Sequence, residues 1–472
     1  MAVVNFLLLA LASLPVPALA AGLESLPGLS GANLALLWGL PFAGLLLSIA
    51  IVPLVNARFW HAHFGKVAAA WSVVLILPFA VMFGAEVTIH HLVHAIVAEY
   101  LPFVVILFAL YTIAGGICVR GSFVGTPVFN TGMLALGAAI ASFMGTTGAS
   151  MLLIRPLLTA NEVRPHKAHT VVFFILLVGN VGGALSPLGD PPLFIGFLKG
   201  VDFFWPAQNL SAPTLLLCVA LLAIYFALDA WLYRKDGRPA APAATSPRGL
   251  AIEGSFNLLF IVAVIGVVLM SGLWHPGIEF EVLGTHVPVE SLLRDVALVA
   301  LALCSLVLTS SDIREHNAFH WGPIAEVAKL FAGIFITIIP VLAMLSAGRN
   351  GALGMFASMV VDAAGEPRNL PLYWTTGVLS AFLDNAPTYL VFFNLAGGDA
   401  ARLMTTRNAT LEAISMGAVY FGALTYIGNA PNFMIKAVAE DRGIAMPSFF
   451  GYVLQAGIVM VPLLAVIGML YL

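Results

Sequence analysis

The sequence predicts an all-α polytopic membrane protein made of two inverted repeats, each carrying a re-entrant hairpin and a broken helix. Three observations predict it. The 472 residues are 61% hydrophobic and only 9% charged, more apolar surface than a water-soluble fold can hide. Apolar segments of about 18 to 22 residues recur between short polar connections, the length that crosses a hydrocarbon core about 30 Å thick. Finally, two apolar stretches interrupted by Gly, Pro, Asn and Asp recur in matched order in the two halves. Strand-type alternation is absent, which excludes a membrane barrel.

The elements follow in chain order. Met1 to Ala21 ends in PVPALAA, with small residues at Ala18 and Ala20, and reads as a signal peptide or an extra N-terminal helix. Crossings are expected at Asn33 to Val55, Val67 to Gly84 and Tyr100 to Val119. Val128 to Leu158 forms two short apolar arms flanking the polar tip GTTGAS (Gly145 to Ser150). Each arm is too short to span, so the pair reads as a re-entrant hairpin. His169 to Lys199 is a helix broken at GNVGGALSPLGDPP (Gly179 to Pro192), where prolines remove backbone donors and glycines favour bends. Pro213 to Tyr233 closes the first repeat, residues 33–233.

Residues 234–254, rich in Pro, Ala and positive charge, read as a cytoplasmic linker. The second repeat, residues 255–472, has the same order. Crossings at Phe256 to Trp274, Leu292 to Thr309 and Ala325 to Leu345 lead to an interfacial helix at Leu353 to Ala364. A hairpin follows at Leu372 to Leu395 with LDNAP at its tip, then a helix from Leu411 to Glu440 broken at TYIGNAPN, and a last crossing at Phe449 to Leu472. The breaks share G-A-L-[ST]-x-[LI]-G-[DN]-x-P, at Gly183 to Pro192 and Gly422 to Pro431. The tips align as FMGT on FLDN, and the interval from Gly145 to Asp190 equals that from Asp384 to Asn429. A matched motif at a matched interval points to internal duplication.

Five crossings per half is odd, so the second half is inverted relative to the first. An outside start places about fourteen of the twenty Lys and Arg in the cytoplasm, as the positive-inside rule requires. A net charge of −3 with no basic patch excludes nucleic acid as a partner. Cys118, Cys218 and Cys304 lack metal-type spacing. The groups His90, His91, His94 and His166, His169 are placed in loops without a second ligand set. Glu326 and Lys329 are expected to form an interfacial ion pair, and Asp229 to sit against Arg234.

Inversion brings two tips and two breaks together near the bilayer midplane, where half-helix N-termini and unwound carbonyls can meet an ion. The candidate side chains are Thr146, Thr147, Ser150, Asn180, Ser186 and Asp190 from the first half, and Asp384, Asn385, Thr388, Thr425, Asn429 and Asn432 from the second. They are hard oxygen donors suited to a small cation. Asp190 and Asp384 are the ionisable pair. Two carboxylates that hold either protons or a metal ion, but not both, suffice for exchange.

GNVGGALSPLGDPP, SAFLDNAPT and ALTYIGNAPN resemble the paired motifs of the ion transporter superfamily, in particular NhaD-type sodium/proton antiporters and the CitMHS-like branch of citrate transporters. The resemblance runs over the chain after residue 30. It implies an inverted-repeat transporter of the inner membrane, homodimeric, in which a transport domain moves against a scaffold. It also implies a site for transported Na⁺ at Asp190, Asp384 and Asn385. Antiporters of this kind tend to carry an Asp-Asn in the first hairpin, whereas this tip reads Gly145-Thr146-Thr147. The missing carboxylate would suit an anionic substrate, for which Arg155 is within reach of the tip, and snorkelling to the interface is the other role open to it.

The function predicted is therefore sodium/proton antiport by competition at two midplane aspartates, with cation-coupled symport of citrate or another carboxylate as the alternative. No cofactor is expected, since Na⁺ and H⁺ are cargo. The apolar segments hold no HExxH, no GxSxG and no nucleophile paired with a base, so an enzyme is not expected.

Overall fold

A computed structural model describes residues 29–121, 123–237, 251–347, 351–360, 362 and 366–472. Residues 1–28, with the expected signal peptide or extra N-terminal helix, and residues 238–250 of the expected linker lie outside them. Among the described residues seven helices are long and apolar enough to cross a bilayer, or eight if one bent pair counts as a span. The protein is a multi-pass, nearly all-helical membrane protein.

Helix α1 (Leu40–Val55) stops at Asn56, whose side chain caps α2 (Ala57–Phe83) by accepting from Phe59 N at 3.0 Å. Gly84, at φ 88°, turns the chain into α3 (Ala85–Ala114). Here the structure differs from expectation. The stretch EVTIHHLVHAIVAE, expected as a loop, continues the third span as helix, with one π-helical segment at Ala95–Tyr100. No Gly or Pro interrupts Ala85 to Leu101, and neighbouring elements cover the π segment. Packing against neighbouring elements, which buries Thr88, Ala95 and Glu99, thus supports a stretch too polar to read as a span. His90, His91 and His94 consequently lie on a helix rather than in a loop.

Next come α4 (Pro127–Met144) and α5 (Thr146–Ala160), meeting at Gly145. At 18 residues α4 is long enough to span, so the expectation that each arm is too short holds for α5 and not for α4. Helix α6 (Ala168–Leu177) runs into the first break, which ends at α7 (Pro191–Leu198), and α8 (Trp205–Lys235) follows.

The second half begins with α9 (Asn257–Leu273), α10 (Val289–Leu308) and the short α11 (Ser311–His316). The next span is bent by 44° between α12 (Gly322–Thr337) and α13 (Ile339–Ser346), where Pro340 enters the new helix. After α14 (Gly354–Val360), α15 (Asn369–Leu383) meets α16 (Asn385–Leu395) at Asp384. The short α17 (Ala400–Met404), α18 (Asn408–Phe421), the second break, α19 (Ala430–Asp441) and α20 (Phe449–Tyr471) complete the chain.

Two small ribbons were not anticipated. β1 (Cys118–Arg120) pairs antiparallel with β2 (Ala251–Glu253), tying the end of α3 to the start of α9 across the linker. β3 (Glu279–Val282) pairs with β4 (Thr285–Pro288) around Leu283 and Gly284, both at positive φ, as a two-residue primed turn requires.

The helices pack in two groups. In one, α1, α2, α3, α9, α10 and α12 pack on each other. In the other, α4 to α8 pack with α15, α16 and α18 to α20. Helix α6 is buried from Thr170 to Leu177 and α18 from Ala413 to Phe421, as the centre of a large bundle demands. The base of the first hairpin is clasped by reciprocal amide bonds between Asn130 and Asn161, 2.8 and 2.9 Å, beside a buried Arg164–Asp229 pair at 2.6 Å that His169 joins at 2.8 Å. Asp229 therefore belongs to Arg164 and His169, not to Arg234. The base of the second hairpin is lighter, with Asn369 accepting from Thr410 at 2.9 Å and an exposed Glu366 meeting Arg407 at 2.8 Å.

Candidate ion and substrate site

The site grows out of two breaks built alike. After α6, the chain passes through a 3₁₀ turn at Val181–Gly183 and re-enters helix with Asp190 in extended conformation before α7. After α18 it passes through a 3₁₀ turn at Gly422–Leu424 and re-enters with Asn429 extended before α19. A hydroxyl stitches each break. Ser186 Oγ accepts from Leu188 N at 3.1 Å and donates to Ser142 O. Thr425 Oγ1 accepts from Ile427 N at 3.1 Å and donates to Ala381 O. These bonds replace helical partners lost to the unwinding, which a buried backbone cannot forgo. Gly189 is required sterically, because a Cβ there would lie 2.1 Å from Gly183 O.

Both tips and both breaks meet at one carboxylate. Asp190 is 1% exposed. Its Oδ1 accepts from Thr146 Oγ1 of the first tip at 3.2 Å and from Asn429 Nδ2 of the second break at 2.9 Å. Its Oδ2 accepts from Asn385 Nδ2 of the second tip at 2.6 Å. Asn385 Oδ1 is buried without a hydrogen-bond partner. Asp384 is the turn residue of its own tip, at φ 78°, and its Oδ1 accepts from Ala386 N at 3.1 Å.

Asp190, Asp384, Thr146, Thr147, Asn429 and Arg155 line one cavity of about 830 Å³. The other candidates stand behind it. Asn180 donates to Ile175 O and Asn432 Oδ1 and accepts from Asn429, while Asn432 donates to Gly422 O and Thr425 O. This amide ladder braces one break against the other and ends on Asp190 through Asn429. The hydroxyls of Ser186 and Thr425 are taken up between their own breaks and the hairpin carbonyls Ser142 O and Ala381 O. Thr388 donates to Asp384 O at 2.7 Å and lines a separate apolar cavity of about 190 Å³. Ser150 is fully buried, its hydroxyl without a partner.

Sequence reasoning missed part of the wall. His61, Tyr111, His320, Tyr426 and Asp441 line the cavity, as do Glu326 and Lys329. The last two do not pair with each other. Glu326 faces Trp60 and His61, and Lys329 Nζ lies 5.4 Å from the Phe64 ring centroid. A one-turn spacing of opposite charges cannot reveal that aromatic residues of another helix are closer. Arg155 is half-buried on the same wall with Asp441 and Arg442 in its field. Among the described residues no group of three His, Cys, Asp or Glu could hold a metal.

The sequence matches, over residues 31–472, a family described as "Putative citrate transport". It is 23% identical over 349 residues to an uncharacterized transporter of Mycobacterium tuberculosis, covering 71% of this chain and 74% of the relative. An uncharacterized transporter of Mycobacterium bovis matches equally. A 46 kDa membrane protein of Mycobacterium leprae is 23% identical over 326 residues, 68% of this chain and 71% of its own. The chain belongs to this citrate transport family and is a multi-pass transporter of the cell membrane.

Proposed function

We propose that the protein is a secondary active transporter in which Na⁺ and H⁺ compete for Asp190 and Asp384, which makes it a sodium/proton antiporter. The observation that carries this reading is the convergence of both tips and both breaks on the Asp190 carboxylate, beside a cavity that also reaches Asp384. Asn385 gives the site two states. With Asp190 ionised, Nδ2 donates to it and Oδ1 is free as a ligand for a hard cation. With Asp190 protonated, a rotated amide turns Oδ1 to accept the new O–H. The same side chain thus serves either occupant, while two carboxylates and neutral oxygens complete a cation's shell.

The matched breaks and tips support an inverted repeat of residues 33–233 and 255–472. On the charge distribution, the face carrying Arg155, Lys329 and Asp441 is cytoplasmic. A homodimer in a lipid bilayer is the assembly this reading carries, with Na⁺ and H⁺ as cargo and no resident cofactor.

A second reading is cation-coupled symport of citrate or another carboxylate. It is favoured by the first tip, where Gly145 leaves the N-terminus of α5 without a side-chain cap and Thr147 and Gly148 line the cavity. A helix N-terminus suits an anion, and the cavity is far larger than a bare ion needs. Purified protein in liposomes enclosing a pH dye separates the readings. Antiport predicts that Na⁺ added outside alkalinises the lumen, and that Asp190→Asn abolishes the response. Sodium-dependent accumulation of labelled citrate without that alkalinisation would favour symport.

A further inference from the structure

The cavity exposes the site on one side, and something must close the other. The wall on α3 runs from Ile106 to Tyr111, that on α5 from Thr146 to Arg155, and that on α19 from Ala430 to Asp441. All three lead away from the tips and breaks toward the end where α3 finishes and α12 begins. There Tyr111 Oη donates to His320 O at 2.7 Å. On the far side, α7 leads away from Asp190 and ends at Lys199, about 13 Å along a helical path.

Lys199 Nζ meets Glu99 Oε1 at 2.5 Å, with Glu99 one-tenth exposed and Lys199 one-quarter exposed. Glu99 sits in the π-helical segment of α3, a full two turns from the first cavity-lining residue of that helix. A π bulge within a helix commonly marks a functional position. The pair also joins the two helix groups, α3 belonging to one and α7 to the other. The Arg164–Asp229, Arg407–Glu366 and Arg120–Glu253 pairs each stay within one group.

We propose that Glu99–Lys199 is the latch that holds the far side of the site shut while the cavity is open, and that it parts when the two groups move to expose the site on the opposite face. The proposal rests on the alternating-access transporter reading above, but not on the identity of the cargo. Parting leaves two charges that water on the newly opened side can solvate. Rejoining restores a half-buried pair, so the latch biases the equilibrium between the two states without touching the ion.

The test uses the full chain in oriented membrane vesicles, with Cys118, Cys218 and Cys304 replaced by Ser and one reporter, Ala437→Cys, on the α19 wall of the cavity and outside the ion site. The reporter is alkylated by a membrane-impermeant maleimide from the cavity side. Glu99→Gln and Lys199→Gln should each lower the alkylation rate about fivefold or more, the scale of a coupling between states. The exchanged pair Glu99→Lys with Lys199→Glu should restore it. Unchanged alkylation in both single variants, or no recovery in the exchanged pair, overturns the latch. Because labelling reads accessibility rather than transport, a shifted rate in a protein that moves neither Na⁺ nor citrate would uphold the latch and refute the cargo. Intact transport with unshifted labelling would do the reverse.

Discussion

Gly145 and Asp384 turn their chains with nearly the same torsions, φ 79° and ψ 149° at one and φ 78° and ψ 140° at the other, yet only the second carries a carboxylate. At the breaks the assignment is reversed. Asp190 stands in the first and Asn429 at the matching place in the second, both extended and both opening a helix. Each half thus contributes one acidic group from a different part of the same scaffold. The backbone shape comes from glycines and stitching hydroxyls, and the charge is allotted independently of it. The contrast is informative because Asp384 occupies torsions that favour glycine, a cost of about 1 to 3 kcal/mol that persists where structure or function over-determines it.

The comparison can be broken most severely at Asp190. Asp190→Asn places an amide where three donors converge, removing charged hydrogen bonds worth about 1.5 to 3 kcal/mol each. Exchange in liposomes should fall about 100-fold or more. Retention of near-normal exchange would show that the convergence at Asp190 is architectural.

A second effect contrasts the hairpin bases. Arg164→Gln leaves buried Asp229 with His169 and Asn130 as its remaining partners and should destabilise the protein by about 3 kcal/mol. Arg407→Gln loosens a pair whose glutamate is 55% exposed and removes the donor to Ala396 O at 3.1 Å, and should cost about 1 to 2 kcal/mol. Thermal unfolding in detergent, followed by tryptophan fluorescence, reads both. Equal losses would remove the distinction between a buried clasp and a surface one.

The smallest effects sharpen the tips. Asp384→Gly relieves the torsional strain and should stabilise the protein by about 1 kcal/mol while weakening cation exchange, so stability and activity move in opposite directions. Gly145→Asp imposes the converse. A Cβ at Gly145 meets nothing closer than 3.4 Å, so the variant should fold, with a loss of about 1 to 3 kcal/mol, and should weaken any carboxylate transport by capping α5 with a negative charge. Unimpaired uptake of labelled citrate by that variant would separate the α5 N-terminus from anion recognition.

Much of this was legible in the sequence for a physical reason. Gly, Pro and Asp inside apolar stretches are costly unless they serve a break, so GNVGGALSPLGDPP and TYIGNAPN stand out wherever they occur. The helix over Ala85 to Tyr100 was not legible, since its three histidines and two glutamates read as loop, and only the tertiary contacts that bury Thr88, Ala95 and Glu99 reveal a continuous span. The β3–β4 ribbon depends on a Leu-Gly turn, a weaker signal than Asn-Gly. Within the site, residue type identified the polar set but not the division of labour. Asn429 and Asn180 are chemically alike, and only their partners show that one reaches Asp190 and the cavity while the other braces the breaks. Glu326 and Lys329 teach the same lesson on the cavity wall, where spacing predicts a pair and aromatic neighbours prevent it.

Proton release on sodium binding tests the central claim most directly. Na⁺ is titrated into purified protein in weakly buffered detergent solution, and the protons displaced are counted with a pH dye. Competition at Asp190 and Asp384 predicts that Na⁺ binding expels protons, that apparent affinity falls as pH is lowered, and that Asp190→Asn loses both effects. Sodium binding that releases no protons and keeps the same affinity across pH would contradict the account.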